Sequence, residues 1–523
     1  MISQQKTLVT AAALAAVTTL LTGCSFLGLE LGQGSGDGYG ALKSPEVDGT
    51  LAAYQQQEIE WTSCGSGHEC AKVAAPLDWG SVTGEPGSSE SIELALRKTP
   101  STSDTPLGTV FVNPGGPGAP GTEYLEYTSF PGLAGHYDVI AWDPRGVGSS
   151  SQVVCYDDAE LDDHLFDTTD HGEPGSDEWL AALRDSHERL GAACLENTGE
   201  LIKHVDTVST VRDLDLLREI VGDAKLNYLG YSYGTYIGAR YADMFPETVG
   251  RLVLDGALDP NTTTADVVRA QTGGFEQALA AFLESCLGDE NCPFTGTVES
   301  AMAEVHGMLA AAEATPLPTS EERKVGSGTL LTAIITPLYA ESNWPLLYDL
   351  FAEVKAGTGD TALYLADFYY DRDGSGEYLN NSTEAFIAIN CLDYPNTGEP
   401  DFAAWREDAA ALAKEFPTFG KFQGYADASC WGWPVAPAES RDSVTAAGAD
   451  PILVIGTTGD PATPYDWAVS LAEQLESGVL VTYEGEGHTA YNGKNACVDE
   501  TVNTYFRSGE IPSQGVTCSG GLG

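Results

Sequence analysis

A serine stands between two glycines at residues 230–234, in the order Gly-Tyr-Ser-Tyr-Gly, with Ser232 at the centre. A short apolar run typical of a strand precedes this pentapeptide, and a run typical of a helix follows it. A G-x-S-x-G motif between strand and helix is the nucleophile elbow, a tight turn that presents a serine hydroxyl at a sheet edge. The bare pattern also arises by chance, so the assignment depends on the flanking strand and helix. We predict that Ser232 attacks a carbonyl carbon.

A serine nucleophile of this kind needs a histidine as general base, and in chains with this elbow the histidine follows the serine. Only His306 and His488 lie after Ser232. His306 falls in the middle of a helix-like run, which is typical of a surface residue. His488 lies in a glycine-rich loop directly after a strand-like run, so it is the predicted base.

Two aspartates compete to orient the histidine, Asp255 and Asp460, and each follows a predicted strand. Asp460 lies in the polar turn Gly-Thr-Thr-Gly-Asp-Pro at residues 456–461, where the triad acid usually stands. We predict Asp460 as the acid and Asp255 as a helix-capping or structural residue.

Residues 113–118, Asn-Pro-Gly-Gly-Pro-Gly, follow another predicted strand. Glycine loops at this position lend backbone N–H groups to an oxyanion hole, although a plain Pro-Gly turn is the alternative. We predict that Gly116, with Gly115 as the close alternative, donates together with the amide of Tyr233. Nearby, Asp143 and Arg145 are predicted to form a buried ion pair that braces this loop.

The elements that must position these residues are eight short apolar, β-branched runs bounded by Gly, Pro and Asp. Most lack polar alternation, as expected for parallel strands covered by helices on both faces. An apolar stripe over residues 205–220, with Asp206 placed as a cap, predicts one such helix. The fold class is therefore α/β, with a mostly parallel eight-stranded sheet. The predicted strands are residues 71–75, 92–97, 109–112, 139–142, 226–229, 252–254, 452–455 and 479–483.

About 190 residues separate the sixth predicted strand from the seventh, far more than an ordinary connection between a strand and a helix. We predict that residues 259–449 form a mainly helical cap, with helices near residues 275–287, 298–312 and 344–356. The catalytic core is then built from residues 51–258 and 450–523.

The N-terminus has a basic Lys6, an apolar run over residues 7–20 and the sequence Leu-Thr-Gly-Cys ending at Cys24. The ending resembles the bacterial lipobox, which implies a signal peptide over residues 1–23 and a lipid on Cys24. A transmembrane anchor is the alternative, but the run is short of the ~20 residues that a spanning helix needs. Residues 24–50, rich in Gly, Ser and Asp, are predicted to be a flexible tether. The predicted location is the outer face of the cell membrane, with release from it as a further option.

Ten cysteines remain after Cys24, and export with an even count predicts disulfides. Near-neighbour pairing suggests five of them: 64–70, 155–194, 286–292, 391–430 and 497–518. A structural metal is disfavoured, because no CxxC motif or Cys/His cluster is present.

The chain carries 25 Lys and Arg residues against 77 Asp and Glu residues, a net charge of −52. This charge disfavours nucleic acids and anionic membrane surfaces as partners. Solubility outside the cell is its simplest explanation, although the field also favours a cationic substrate end such as a free α-amino group.

Five segments are informative as a set: NPGGPG at 113–118, WDPRGVGSS at 142–150, GYSYGT at 230–235, GTTGDPATPYDWA from 456 and GEGHTAY from 485. As a set they resemble the tripeptidyl aminopeptidase group of the prolyl-aminopeptidase-like α/β-hydrolases. The region from about residue 410 resembles the C-terminal domain that marks this group. The resemblance implies an α/β-hydrolase fold, no cofactor or metal, and release of short peptides, often tripeptides, from a free N-terminus.

An aminopeptidase must hold the substrate ammonium, and carboxylates in the cap such as Asp393 and Glu384 are candidates for that role. Related proteins act as carboxylesterases, so ester hydrolysis stays open as the alternative activity. A cell-surface binding lipoprotein without catalysis is a third interpretation, which the intact set of catalytic residues disfavours.

Overall fold

The computed structural model describes residues 39–168, 172–394, 401–437, 441–512 and 515–520. The predicted signal peptide, the predicted lipidation site Cys24 and the first part of the predicted tether lie outside the described residues. Across the described ranges, no helix is both long enough and apolar enough to cross a membrane.

A ten-stranded sheet forms the centre of the protein, in the order β1-β2-β3-β5-β4-β6-β7-β8-β9-β10. All eight predicted strands are present, and two short edge strands, β1 and β10, complete the sheet. The strands are β1 Thr62–Ser63, β2 Glu69–Pro76, β3 Ser91–Thr99, β4 Thr109–Asn113, β5 Asp138–Trp142, β6 Leu226–Tyr231, β7 Val249–Asp255, β8 Ile452–Gly459, β9 Gly478–Glu486 and β10 Val516–Ser519.

The sheet is antiparallel from β1 to β3 and where β3 meets β5, and every other neighbouring pair is parallel. Strand β4 is buried along its whole length. Val110 and Val112 pack in one apolar cluster, and Phe111 packs in another on the opposite face. Burial on both faces explains why these strands show no polar alternation in the sequence. The parallel strands place all their carboxyl ends along one edge.

Helices cover both faces of this sheet. The predicted helix after residue 205 is present as Thr207–Ile220, and the side chain of Asp206 accepts the Ser209 N–H as its N-cap. The helices of the core, in chain order, are α1 Leu51–Gln55, α2 Gly121–Tyr127, α3 Pro131–Ala134, α4 Asp158–Leu165, α5 Asp177–Thr198, α6 Thr207–Ile220 and α7 Tyr233–Met244. Helices α4 and α5, in the long connection from β5 to β6, were not predicted.

The insertion between β7 and β8 is helical in its described part and packs around an apolar cluster of its own. Its helices are α8 Thr264–Cys286, α9 Val298–Ala314, α10 Ser327–Leu338, α11 Pro345–Ala356, α12 Asp360–Tyr369, α13 Ser382–Asp393, α14 Phe402–Glu415 and α15 Gly420–Gln423. Two more helices, α16 Tyr465–Gln474 and α17 Ala496–Ser508, return the chain to the core. We call residues 259–449 the cap.

The five predicted disulfides are confirmed: Cys64–Cys70, Cys155–Cys194, Cys286–Cys292, Cys391–Cys430 and Cys497–Cys518. The second fastens α5 to the loop after β5. The fourth joins the C-terminal part of α13 to a later segment of the cap. Cross-links of this kind restrict the unfolded chain and thereby stabilise the folded one.

Candidate active site

Ser232 is the residue between β6 and α7, and its backbone has φ 53° and ψ −124°. Non-glycine residues rarely adopt a positive φ, and such strain is characteristic of a nucleophile elbow. The Ser232 N–H donates to the carbonyl of Asp255 at the end of β7. A methyl group on Gly234 would lie 2.8 Å from Oδ1 of Asn113, so only glycine lets the elbow pack against β4.

His488 and Asp460 meet at the carboxyl edge, where β8 and β9 end. Nδ1 of His488 lies 2.9 Å from each carboxylate oxygen of Asp460. Both side chains are buried, at 2% and 3% exposure. A methyl group on Gly256 would lie 3.1 Å from Cε1 of His488. The turn at Asp255 and Gly256 therefore touches both the Ser232 backbone and the histidine ring.

Thr463, which the sequence did not single out, completes this arrangement. Its Oγ1 donates to Oδ2 of Asp460 at 3.0 Å and lies 3.2 Å from Nδ1 of His488. The backbone N–H groups of Ala462 and Thr463 donate to Oδ1 of Asp460, and that of Thr489 donates to Oδ2. The carboxylate is held by donors from two loops, so its position relative to the imidazole is defined.

The loop that carries His488 is also tied to the cap and to the core. The His488 N–H donates to the carbonyl of Tyr339 in the cap at 2.8 Å, and the two rings contact each other edge to face. Behind the loop, the Lys494 ammonium donates to the His488 carbonyl. Thr489 has a φ of 63°, an unfavourable value for a β-branched residue. These ties explain how the strained loop keeps its shape.

Asp255 serves this loop as a structural residue. Its buried carboxylate accepts the N–H groups of Ala490 at 3.0 Å and Tyr491 at 2.8 Å. Burial raises the pKa of Asp255 to about 6. Asp255 is not the N-cap of any described helix, and its contacts are those of a structural residue that braces this loop.

Gly115 brings the loop after β4 against the elbow. It has a φ of 99°, and a methyl group on it would lie 2.6 Å from the Tyr231 carbonyl and 2.9 Å from Cβ of Ser232. Its N–H donates to Oδ1 of Asn113 at 3.0 Å. Gly116 follows in the same loop, also with a positive φ. The loop thus places backbone groups beside Ser232 and the Tyr233 amide.

The prediction that Asp143 pairs with Arg145 is wrong. Arg145 forms a two-pronged ion pair with Asp213 of α6, at 2.7 Å for each hydrogen bond, and both groups are completely buried. Asp143 instead accepts the N–H groups of Thr122 and Ser149, at 2.8 Å each. Burial raises the pKa of Asp143 to about 6. The two residues brace the region, but through different partners.

The predicted ammonium-binding residues, Asp393 and Glu384, are both occupied in structural contacts. Asp393 accepts the N–H and hydroxyl of Thr207, at 2.9 and 2.6 Å, and that hydroxyl also contacts the Tyr233 hydroxyl. Burial raises the pKa of Asp393 to about 6. Glu384 accepts the N–H groups of Cys155 and Tyr156. These carboxylates join the cap to the core.

His306 lies within α9, as expected, and contacts the carbonyl of Thr418 at 3.3 Å within the cap. In the part of the chain that the structure describes, no three His, Cys, Asp or Glu side chains are grouped so that they could hold a metal ion.

Comparison with known proteins gives consistent likenesses. The pattern of the family described as TAP-like protein matches residues 415–518, which include Asp460 and His488. The chain is 34% identical over 532 residues to Serine protease Hip1 of Mycobacterium tuberculosis, covering 97% of this chain and 96% of that protein. It is 32% identical over 462 residues to Carboxylesterase B of the same species, covering 86% of each. It is 27% identical over 480 residues to Tripeptidyl aminopeptidase of Streptomyces lividans, covering 88% of this chain and 86% of that protein.

Proposed function

The chain belongs to the TAP-like group of α/β-hydrolases, and we propose that it is an extracellular serine peptidase that releases short peptides from a free N-terminus. Membership of this group supports serine hydrolase chemistry. The names of two relatives, a serine protease and a tripeptidyl aminopeptidase, support peptides as the substrate class.

The observation that carries the proposal is the contact between His488 and Asp460 at the edge of the sheet where the strained Ser232 also lies, with the turn at Gly256 touching both the serine backbone and the histidine ring. In the proposed reaction the Ser232 hydroxyl attacks the scissile carbonyl while His488 takes its proton. His488 then gives that proton to the leaving amine, and water hydrolyses the acyl-enzyme by the same route. Asp460 keeps Nδ1 of His488 protonated and facing it, at 2.9 Å, and stabilises the imidazolium.

We assign the oxyanion hole to the N–H groups of Gly116 and Tyr233. The Gly115 N–H already donates to Asn113, which favours Gly116 as the loop's donor. The Tyr233 N–H lies at the start of α7, where unsatisfied helix N–H groups favour negative charge. Backbone donors fixed in this way stabilise a developing alkoxide without reorganising during the reaction.

We also propose that the protein is exported and held at the membrane by a lipid on Cys24. The five disulfides support export, since such bonds persist in oxidising compartments. The Leu-Thr-Gly-Cys sequence supports lipidation. Labelling of growing cells with a fatty-acid analogue tests this part, because a Cys24→Ala variant is expected to lose the label and enter the medium.

The likeness to Carboxylesterase B keeps ester hydrolysis as a second candidate function. A direct test compares three substrates with the purified enzyme: a free-amine tripeptide amide, its N-acetylated counterpart and a short-chain ester. We expect the free-amine peptide to be preferred by at least about tenfold in kcat/KM over its acetylated counterpart. Equal rates on the two peptides, or a strong preference for the ester, would show that the enzyme is an esterase or an endopeptidase.

A further inference from the structure

Two carboxylates face each other where the cap meets the core. Glu123 lies on α2, the core helix that follows the oxyanion loop, and Asp371 lies in the cap just after α12. One side-chain amide joins them: Nδ2 of Asn380 donates to Glu123 at 3.1 Å and to Asp371 at 3.2 Å. Ser382 also donates its hydroxyl to Asp371, at 3.3 Å. The pair therefore bridges the two parts of the protein.

Neither carboxylate has a cationic partner among the described residues. Burial, helped by the neighbouring Asp371, raises the pKa of Glu123 to about 7, and burial raises the pKa of Asp371 to about 6. The other charged groups that act on Glu123 are the carboxylates of Asp143 and Glu126. Carboxylates that are largely withdrawn from water are normally paired with a cation, and these two partly buried groups lack the counter-charge that would favour their ionised form.

The pair lies beside the catalytic machinery. Asn380 and Ser382 lie at the start of α13, and Gly118 of the oxyanion loop packs against the Ser382 carbonyl and the Phe386 amide. The same loop packs against Ser232 through Gly115. Tyr124, the neighbour of Glu123, contacts the ring of Tyr231, the residue before the nucleophile. The carboxylate pair and Ser232 are thus connected through the packed residues of the oxyanion loop and of α2.

Exposed apolar side chains surround the same place. Tyr127, one helical turn after Glu123, is 47% exposed. Leu379, whose N–H donates to the Asp371 carbonyl, is 46% exposed, and so is Phe386 beside Gly118. Several large apolar side chains left in contact with water in one region are characteristic of a ligand-binding surface.

We propose that Glu123 and Asp371 bind the α-ammonium group of the substrate and so determine specificity for a free N-terminus. The inference rests on the proposed peptidase function and adds the residues that would bind the amino end of the substrate. An ammonium presents three N–H donors and one positive charge, which match two facing carboxylates without a cation. An acetylated N-terminus has neither the charge nor the donors.

The assignment replaces Asp393 and Glu384 in this role. Both oxygens of Asp393 and Oε1 of Glu384 already accept hydrogen bonds from the core, and both residues are more than nine-tenths buried. Glu123 and Asp371 are only partly buried and are joined by one neutral amide. They are therefore open to an incoming cation in a way that Asp393 and Glu384 are not.

The test uses the variants Glu123→Gln and Asp371→Asn and their double variant. Both substitutions keep size and hydrogen bonding, and asparagine tolerates the left-handed backbone of Asp371, with φ 54°. The matched control is Glu276→Gln, since Glu276 is a partly buried cap carboxylate that accepts the N–H groups of Thr418 and Phe419. Kinetics are measured on the free-amine tripeptide amide, its N-acetylated counterpart and a short-chain ester.

We expect each single variant to lose about 10- to 100-fold in kcat/KM on the free-amine peptide, mainly through KM, as for one hydrogen bond to a charged group. Ester hydrolysis should stay within about twofold of the parent enzyme, and the control should match the parent on all three substrates. Equal losses on peptide and ester, or an unchanged preference for the free amine, would overturn the assignment while leaving the peptidase proposal standing. A parent enzyme indifferent to acetylation would overturn both.

Discussion

Both carboxylate oxygens of Asp460 lie 2.9 Å from Nδ1 of His488, although the two residues are 28 positions apart in the chain. The contact joins the loops that leave two neighbouring parallel strands, β8 and β9. Thr463 adds its hydroxyl to both partners. Charge-assisted hydrogen bonds of this kind fix the tautomer and the orientation of a catalytic imidazole.

Replacing Asp460 by Asn tests the orienting role. The amide keeps the size of the side chain but offers one oxygen acceptor in place of two and carries no charge, so the wrong histidine tautomer is favoured. We expect kcat to fall by about 10⁴-fold on every substrate, with the melting temperature changed by only a few degrees. If the Asp460→Asn variant keeps more than about a tenth of the parent's kcat, Asp460 is not the acid that orients His488.

Thr463→Val removes a hydroxyl that touches both Asp460 and His488 while nearly keeping the shape of the side chain. We expect kcat to fall by about 10-fold, because one hydrogen bond that positions the pair contributes about 1–1.5 kcal/mol. Thr463→Ser is the matched control, since it keeps the hydroxyl and should recover most of the activity. If valine and serine lose activity equally, the methyl group and not the hydroxyl is what matters.

The Asp255→Asn variant tests whether Asp255 braces the histidine loop or acts as the catalytic acid. The side chain accepts two backbone N–H groups in the histidine loop, and an amide can satisfy them only in part. We expect the free energy of unfolding to fall by about 1–3 kcal/mol, which a lower melting temperature would show, while kcat falls by less than about tenfold. A loss of kcat as large as that of Asp460→Asn would instead make Asp255 the catalytic acid.

Stability should fall as pH rises from about 5 to 8. Burial raises the pKa of many carboxyls in the described residues, and five of these pKa values reach about 6 or 7: Glu123 at about 7, and Asp143, Asp255, Asp371 and Asp393 at about 6. Their ordinary values are 4.5 for Glu and 3.8 for Asp, so the folded protein holds these protons more tightly than the unfolded chain does. The raised pKa values therefore stabilise the folded state fully at low pH, below the unfolded values of about 4. This stabilisation is lost as pH rises through the folded values of about 6 to 7.

The measurement is the melting temperature between pH 5 and pH 8. Carboxyls with lowered pKa values, such as Asp162, act below about pH 4. Three histidines whose pKa burial lowers, His68, His164 and His187, oppose the trend up to about pH 6.5, but the carboxyls with raised pKa values outnumber them. The double variant Glu123→Gln, Asp371→Asn should flatten the slope, because its amides do not titrate. A melting temperature that climbs steadily toward pH 8 would contradict the conclusion that these buried carboxyls set the pH dependence of stability.

Much of the site could be predicted because, in an α/β sheet, the residues that directly follow the parallel strands lie along the same edge. Apolar runs without alternation mark parallel buried strands, and the residues that follow them must gather at the carboxyl edge. Ser232, His488 and Asp460 each follow such a run, so the sequence directs all three to that edge without any knowledge of the cap, and the structure shows the contact between Asp460 and His488. Pairing each cysteine with the next one along the chain was likewise correct, although two of the five pairs are 39 positions apart.

The errors concern side chains whose partners come from distant helices. Asp143 and Arg145 are two residues apart, yet Arg145 finds Asp213, 68 positions away, because α6 crosses beneath the loop. No periodic pattern indicates such a partner. Glu123 and Asp371 are likewise brought together only because the cap folds back over α2. The hydroxyl of Thr463 could not be predicted either, since it is one polar side chain among several in a polar turn.

The proposed mechanism depends above all on Ser232 forming the acyl-enzyme. The most direct measurement treats the purified enzyme with a fluorophosphonate, which labels activated serines, and locates the adduct by peptide mass spectrometry alongside kinetics of Ser232→Ala. We predict one adduct, on Ser232, complete loss of hydrolysis when it forms, and a folded but unlabelled and inactive alanine variant. An adduct on another serine, or parent-like turnover by Ser232→Ala, would contradict this mechanism.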